Sequence, residues 1–372
     1  MPARLNRPPR LLVTTDAVGG VFTYALDLSN WMRRSGVDVT LALLGPQASD
    51  AQLAQMTAIG GLEVVRISGP LDWTAQEADE LCPVAEALAH FARKSGADLL
   101  HLNSPVLAAL ADFGLPLLGV CHSCTASWWR AVRGGALPPD FAWRRKLLAD
   151  GYAACDAVIA PTSAFAEVTR EIYGADPAVV WNGRPPAAGG AKVESFVLSA
   201  GRLWDEAKGF ATLDAAAAMI DAPVVALGGL AGPDGTWIRL EHVRTPGAQD
   251  AAAMSDWLAR APVFASAALY EPFGLTVLEA AQAGAALVLS DIATLRELWA
   301  GAAIFVPPRD ARGFAAAINR VLADDSLRQA LSAKAQVRAG RYTLEAMGAG
   351  ILGHYTRLSA AAFAPPSTAA AA

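Results

Sequence analysis

The chain has few cysteines, few charges and no long apolar run, and each scarcity removes a class of protein. Four cysteines in 372 residues are too few to staple a chain of this size, so the expectation is a reducing, cytoplasmic setting rather than a disulfide scaffold. No stretch of about twenty apolar residues occurs, so no membrane-spanning helix is expected. The opening "MPARLNRPPRLLVTTD" is basic but lacks the apolar segment of a signal peptide. Charged residues make up 17% and the net charge is −5, a balance unlike that of a dedicated nucleic-acid binder. Three motifs are also missing. Gly19 and Gly20 in "TTDAVGGVF" do not form the G-x-G-x-x-G of a dinucleotide site. Cys121 and Cys124 make a single C-x-x-C with no second pair at zinc spacing, so no metal is expected there. No well-placed paired-aspartate loop suggests a divalent ion.

What is present is a packed α/β chain. Hydrophobic residues reach 53%, and 372 residues exceed one ordinary core, so two domains are expected. "RLLVTTD" reads as a buried strand, and "GGVFTYALDLSNWMRR" as a helix with Val21, Ala25, Leu28 and Met32 on one stripe. Strand patterns follow at "VDVTLALL", "LEVVRI", "ADLLHLN", "LPLLGVCH" and "DAVIAPT". After a Pro- and Gly-rich stretch they restart at "SFVLSAG", "PVVALGG", "APVFASA", "AALVLSD" and "AAIFVPP". Strand–helix alternation means parallel sheets with crossover helices. The expected fold is therefore two doubly wound, Rossmann-like domains facing across a cleft. The boundaries are an N-terminal domain over 1–180, a linker over 181–195 and a second domain over 190–335. A final helix over 340–358 and a disordered tail over 359–372 complete the chain.

In such folds ligands sit beyond the carboxyl ends of the strands, and two facing sheets make a cleft there. "YEPFGLTVLEAAQAG" holds Glu271 and Glu279 around a Gly-led helix start. Free amides at Phe273, Gly274, Leu275 and Thr276 favour a phosphate, and a carboxylate accepts hydrogen bonds from paired hydroxyls, as on a ribose or a sugar. The same letters also fit a capping box, with Thr276 at the N-cap and Glu279 three residues on. "SAGRLWDEAKGF" places Arg202 and Lys208 after a strand, where two cations could clamp a diphosphate or simply face solvent. Gly19 and Gly20 could admit a phosphate or serve as a plain turn. His122 ends a strand, either at the cleft or as a structural residue. Residues 128–146 mix Trp128, Trp129 and Trp143 with Arg130, Arg133, Arg144, Arg145 and Lys146. That segment suits an acidic acceptor, a peripheral contact with a membrane's inner face, or a solvated basic helix.

Taken in order, these motifs resemble the family 4 retaining glycosyltransferases of GT-B architecture. The resemblance covers most of the chain. It is carried by the E-x7-E spacing of Glu271 and Glu279, by Gly19-Gly20, His122, "WNG", "GRL...KG" and "SDIATLREL". It implies transfer of a sugar from a nucleotide-sugar donor to a glycan, lipid-linked or small-molecule hydroxyl, with retention and without a metal or other cofactor. The setting it suggests is polysaccharide biosynthesis. Glu279 would bind the ribose and Glu271 the donor sugar. Arg202, Lys208 and the Gly274 and Leu275 amides would hold the diphosphate, and His122 would sit near the reacting carbon. The terminal helix would cross back to the first domain. Lys208 follows Arg202 by six positions, one more than is common in the family. A catalytically silent nucleotide-sugar-binding subunit, or another GT-B-like enzyme such as an epimerase or phosphorylase, is the alternative.

Overall fold

The computed structural model describes residues 7–186, 194–233 and 235–363. Two parallel sheets form, each from short strands of β-branched and leucine-rich sequence. The first holds β1 (Arg10–Asp16), β2 (Asp38–Leu44), β3 (Glu63–Ile67), β4 (Leu99–Leu102), β5 (Leu117–Val120), β6 (Ala157–Ala160) and β7 (Ala178–Val179). Its order is β3-β2-β1-β4-β5-β6-β7. The second holds β8 (Val197–Ala200), β9 (Val224–Leu227), β10 (Arg244–Gly247), β11 (Val263–Ser266), β12 (Ala286–Ser290) and β13 (Ala303–Val306), in the order β10-β9-β8-β11-β12-β13. In both sheets the order reverses at the first strand, which opens a crevice at the strand carboxyl ends.

The central strands are buried on both faces, as β1 shows: Leu12 packs into one apolar layer, and Leu11 and Val13 into the other. Parallel strands covered by helices on both sides read as continuous apolar runs for this reason. Two strands lie outside the expected set, β7 and β10. Both are edge strands and largely exposed; β10 is "RTPG", whose Pro246 is tolerated only because one side of the strand needs no ladder donor.

The last long helix, Leu344–Leu358, leaves the second domain and packs on the first. Leu344, Met347, Ile351 and Tyr355 join the apolar layer of Leu11, Leu28 and Met32. Gly348 is needed for that approach, because a Cβ there would lie 2.3 Å from Cδ2 of Trp31. Two expectations change here. The tail expected to be disordered from 359 begins with a helical turn, Ala360–Phe363, and Phe363 is buried against Tyr355 with ring centroids 5.3 Å apart. Residues 364–372 lie outside the described residues. The expected linker 181–195 opens as packed structure. Trp181 lies edge-on to Tyr342 at 5.5 Å, Asn182 is buried, and Arg184 forms a parallel bridge with Thr343. The part at 187–193 lies outside the described residues.

Candidate active site at the interdomain cleft

The strand carboxyl ends of the two sheets face each other closely. Gly19 is the N-cap of the helix Gly20–Arg34 and has φ 79°. A Cβ on it would sit 3.5 Å from Nη1 of Arg202, and one on Gly20 would sit 3.6 Å from Cδ1 of Leu275. The glycine turn of the first domain therefore abuts the diphosphate candidates of the second. A side chain there would be strained by the backbone and would occupy the cleft.

Arg202 donates through Nη2 to Asp205 Oδ2 at 2.7 Å, while its Nε is buried without a partner. Buried polar groups are normally paired, so an unsatisfied guanidinium N–H at a cleft is an acceptor-seeking group. Lys208 reaches Glu271, Nζ to Oε2 at 2.7 Å. Between Arg202 and Lys208 the chain forms the 3-10 turn Glu206–Lys208, which Asp205 caps by accepting from the Ala207 amide at 3.0 Å.

The motif helix runs Leu275–Ala283, with Gly274 as its N-cap at φ 88° and no side-chain cap. The capping-box reading is thereby corrected: Thr276 lies inside the first turn, and Glu279 one turn further along. A left-handed Gly274 lets the chain enter the helix without a hydroxyl cap, leaving its first amides unclaimed by side chains. Glu279 accepts through Oε1 from Arg184 Nε at 2.7 Å. Arg184 also pairs with Asp27 of the helix Gly20–Arg34. Burial pushes both carboxyls up, and the shared guanidinium opposes the shift. Phe273, expected at the donor, is buried in the second domain's core, edge-on to Tyr342 at 5.7 Å.

His122 follows β5 on the first-domain side. Its Nε2 is 2.7 Å from Asn103 Oδ1, and Tyr24 packs edge-on to it at 4.7 Å. Burial and the neighbouring His101 lower His122 to about 3, so it is neutral at physiological pH. Burial likewise lowers His101, which has no accessible surface, to about 3. Asp16, at the end of β1, accepts from the Val18 amide at 2.6 Å. Burial raises it to about 6, a nearby Asp72 adds to the rise, and Arg202 opposes it.

Asn103, Arg184 and Asp16 were not singled out from the sequence. Asn103 follows β4 and Asp16 ends β1, the same positional rule that marked His122. Arg184 carried no signal beyond its charge in a Pro-rich stretch.

The aromatic, basic segment divides. Trp128 donates its indole N–H to Asp205 at 3.2 Å, Val132 packs with Ala207 and Leu269, and Arg133 pairs with Glu206 at 2.6 Å. Trp128 and Arg133 thus meet the second domain, whereas Arg130 pairs with Glu171 of the first domain at 2.6 Å and Trp129 packs on Phe141. In the helix Ala142–Ala154, Arg144 lies 4.5 Å from the Trp143 ring centroid, Lys146 pairs with Asp150, and Arg145 is exposed. Cys124 caps the helix Thr125–Val132 by accepting from Ser127 N at 3.3 Å, and burial pushes Cys121 up to about 12, so this pair has little thiolate character. Among the described residues no group of three or more His, Cys, Asp or Glu is placed to hold a metal ion. No helix among them is long and apolar enough to cross a membrane.

Two facing parallel-sheet α/β domains with a cleft at their strand carboxyl ends are the GT-B architecture. The chain belongs to glycosyltransferase family 4. The model "Glycosyltransferase Family 4" matches residues 18–187, and "Glycosyl transferases group 1" matches residues 194–324. A phosphatidyl-myo-inositol mannosyltransferase of Mycolicibacterium smegmatis is 28% identical over 373 residues, covering 93% of this chain and 92% of that protein. One of the same name from Mycobacterium leprae is 25% identical, covering 91% and 93%. In fold, the chain is similar to a sucrose-phosphate synthase of Thermosynechococcus elongatus, with TM-score 0.77, 20% identity and coverage of 95% and 100%. It is also similar to Anabaena HepE in complex with UDP-glucose, with TM-score 0.75, 18% identity and coverage of 94% and 100%.

Proposed function

We propose that the protein is a retaining, metal-independent transferase that moves a hexose from a nucleoside diphosphate sugar to an acceptor hydroxyl. The observation that carries this reading is the close apposition of the Gly19-Gly20 turn to Arg202 and Leu275, with one guanidinium N–H unpaired. Breaking the glycosidic bond leaves a diphosphate whose negative charge grows in the transition state. Preorganised charge at that point lowers the barrier. Arg202, Lys208 and the amides at the start of the Leu275–Ala283 helix supply it. Glu279, with Oε1 held by Arg184, keeps Oε2 for a ribose hydroxyl. Glu271, held by Lys208, meets the sugar, and His122 lies near the reacting carbon. The names of the mannosyltransferase relatives favour mannose as the sugar and a lipid-linked polyol as the acceptor. Such an acceptor lies in a membrane surface, and the exposed Arg130, Arg145 and Lys146 are cations of 128–146 that do not pair with the second domain and could meet it.

The test uses GDP-mannose and UDP-glucose as donors. Turnover is expected to persist in excess EDTA, with the anomeric configuration kept in the product. Arg202→Ala is expected to lower kcat by about 10²-fold, as loss of one transition-state donor does. Turnover that stops with EDTA and returns with magnesium overturns the metal-independent reading, and a normal kcat for Arg202→Ala overturns the role of Arg202.

A further inference from the structure

Four polar side chains form one chain of hydrogen bonds from the terminal helix to the cleft. The Tyr355 hydroxyl is 2.8 Å from His101 Nδ1. His101 Nε2 is 3.2 Å from Asn103 Oδ1, and that same oxygen is 2.7 Å from His122 Nε2. The direction of every bond follows from one anchor. Asn103 Nδ2 lies 2.6 Å from the carbonyl oxygen of Thr14. A carbonyl only accepts, so the amide NH2 faces Thr14 and Oδ1 faces the two rings. The Asn103 backbone N–H, bonded to Thr14 Oγ1 at 2.9 Å, holds the residue in place. An amide oxygen likewise only accepts, so His122 Nε2 carries hydrogen, and so does His101 Nε2, which meets the Tyr24 hydroxyl at 3.4 Å as a second, longer acceptor. His101 Nδ1 is then a lone pair that receives the Tyr355 hydroxyl. His122 Nδ1 is left as the open acceptor of the chain.

We propose that Asn103 is a positioning residue that locks His122 in the Nε2–H tautomer, so that His122 presents Nδ1 to the cleft as a hydrogen-bond acceptor. Its partner there is a hydroxyl group, the donor class a hexose supplies. A free neutral imidazole exchanges between two tautomers, and only one of them could accept through Nδ1. Tyr24 packing edge-on at 4.7 Å limits ring rotation, so the tautomer is the remaining freedom. His101 has no accessible surface, and it serves as the second donor that fills the remaining lone pair of Asn103 Oδ1. Tyr355 donates to His101 Nδ1, so the hydrogen-bond chain reaches the terminal helix. The inference rests on the reading of His122 as a residue that meets the donor sugar.

The experiment labels histidine with 15N and reads the long-range ring correlations of the full-length protein. The chain has five histidines, and His122→Gln assigns the signal. Wild type is expected to show an unprotonated Nδ1 and a protonated Nε2 for His122. Asn103→Ala is expected to show exchange between tautomers. In turnover of whichever of GDP-mannose and UDP-glucose the wild type consumes, Asn103→Ala lowers kcat by about tenfold or more. The Kd of the matching nucleoside diphosphate stays within roughly twofold, as expected of a residue that acts on the sugar end alone. A protonated Nδ1 in wild type, or an Asn103→Ala protein that keeps a single Nε2–H tautomer, overturns the proposal. Normal turnover by His122→Ala instead sinks the donor-site reading of His122 and leaves the tautomer result to stand by itself.

Discussion

Asp16 shows how a single residue can be set against the fold that holds it. Burial at the end of β1 raises its carboxyl to about 6 from the ordinary 3.8. The folded chain therefore holds this proton more tightly than the unfolded chain, and stability falls as pH rises from about 4 to about 6. Asn in its place still accepts from the Val18 amide but carries no charge to desolvate. Asp16→Asn is expected to stabilise by about 1–3 kcal/mol at pH 7.5, with little difference at pH 4. Urea titrations at the two pH values check this; an equal gap at both would assign the effect to packing instead. At this scale the sequence marks residues by type and position. Arg202 and Lys208 stand out as cations after a strand, whereas Asn103 does not stand out at all, because a neutral amide gains its meaning only from the carbonyl and the two rings around it.

Elements were legible where their period was strong. Every central strand follows an apolar run, because a strand covered on both faces needs one. The exposed edge strands β7 and β10 carry no such run. The motif helix was legible in existence but not in its first residue: a Thr-to-Glu spacing of three fits a capping box, yet the left-handed Gly274 starts the helix earlier. The terminal helix depends on one close contact, Gly348 against Trp31. Gly348→Val is expected to destabilise by about 1–3 kcal/mol or more through overpacking. Gly353→Ala, whose Cβ would meet only Arg357 Nη1 at 3.8 Å, should be neutral or slightly stabilising. Thermal melting of both variants separates the contact from a general intolerance of the helix to substitution.

At the scale of the whole molecule, the two domains are joined by more than covalent linkage. Tyr270 accepts from the Cys124 amide at 3.2 Å and shares a hydrogen bond with Ser127 at 2.8 Å. Glu297 caps a first-domain helix by accepting from the Ser163 and Ala164 amides at 2.9 and 2.8 Å. Arg184 couples Asp27 to Glu279 across the same boundary. Removing its charge leaves two largely covered carboxylates without a counterion. Arg184→Met is expected to destabilise by about 3–5 kcal/mol near pH 8. Both carboxyls are raised by burial, so they take up protons as pH falls and the loss should shrink near pH 5. Denaturant midpoints at both pH values test this, and a loss that grows towards acid would refute the ion-pair account.

The sequence by itself determined the two-domain α/β plan, the family and the short set of charged and glycine residues at the strand ends. Each of these follows from local pattern: apolar runs, glycine turns and the spacing of two glutamates. Only the tertiary structure decided which charges meet. Glu279 pairs with Arg184 rather than capping its own helix, Trp128 turns to the second domain, and Asn103 orders two histidines at once. Those outcomes depend on groups brought together from distant parts of the chain, where burial and hydrogen-bond direction, not spacing, set what each side chain does.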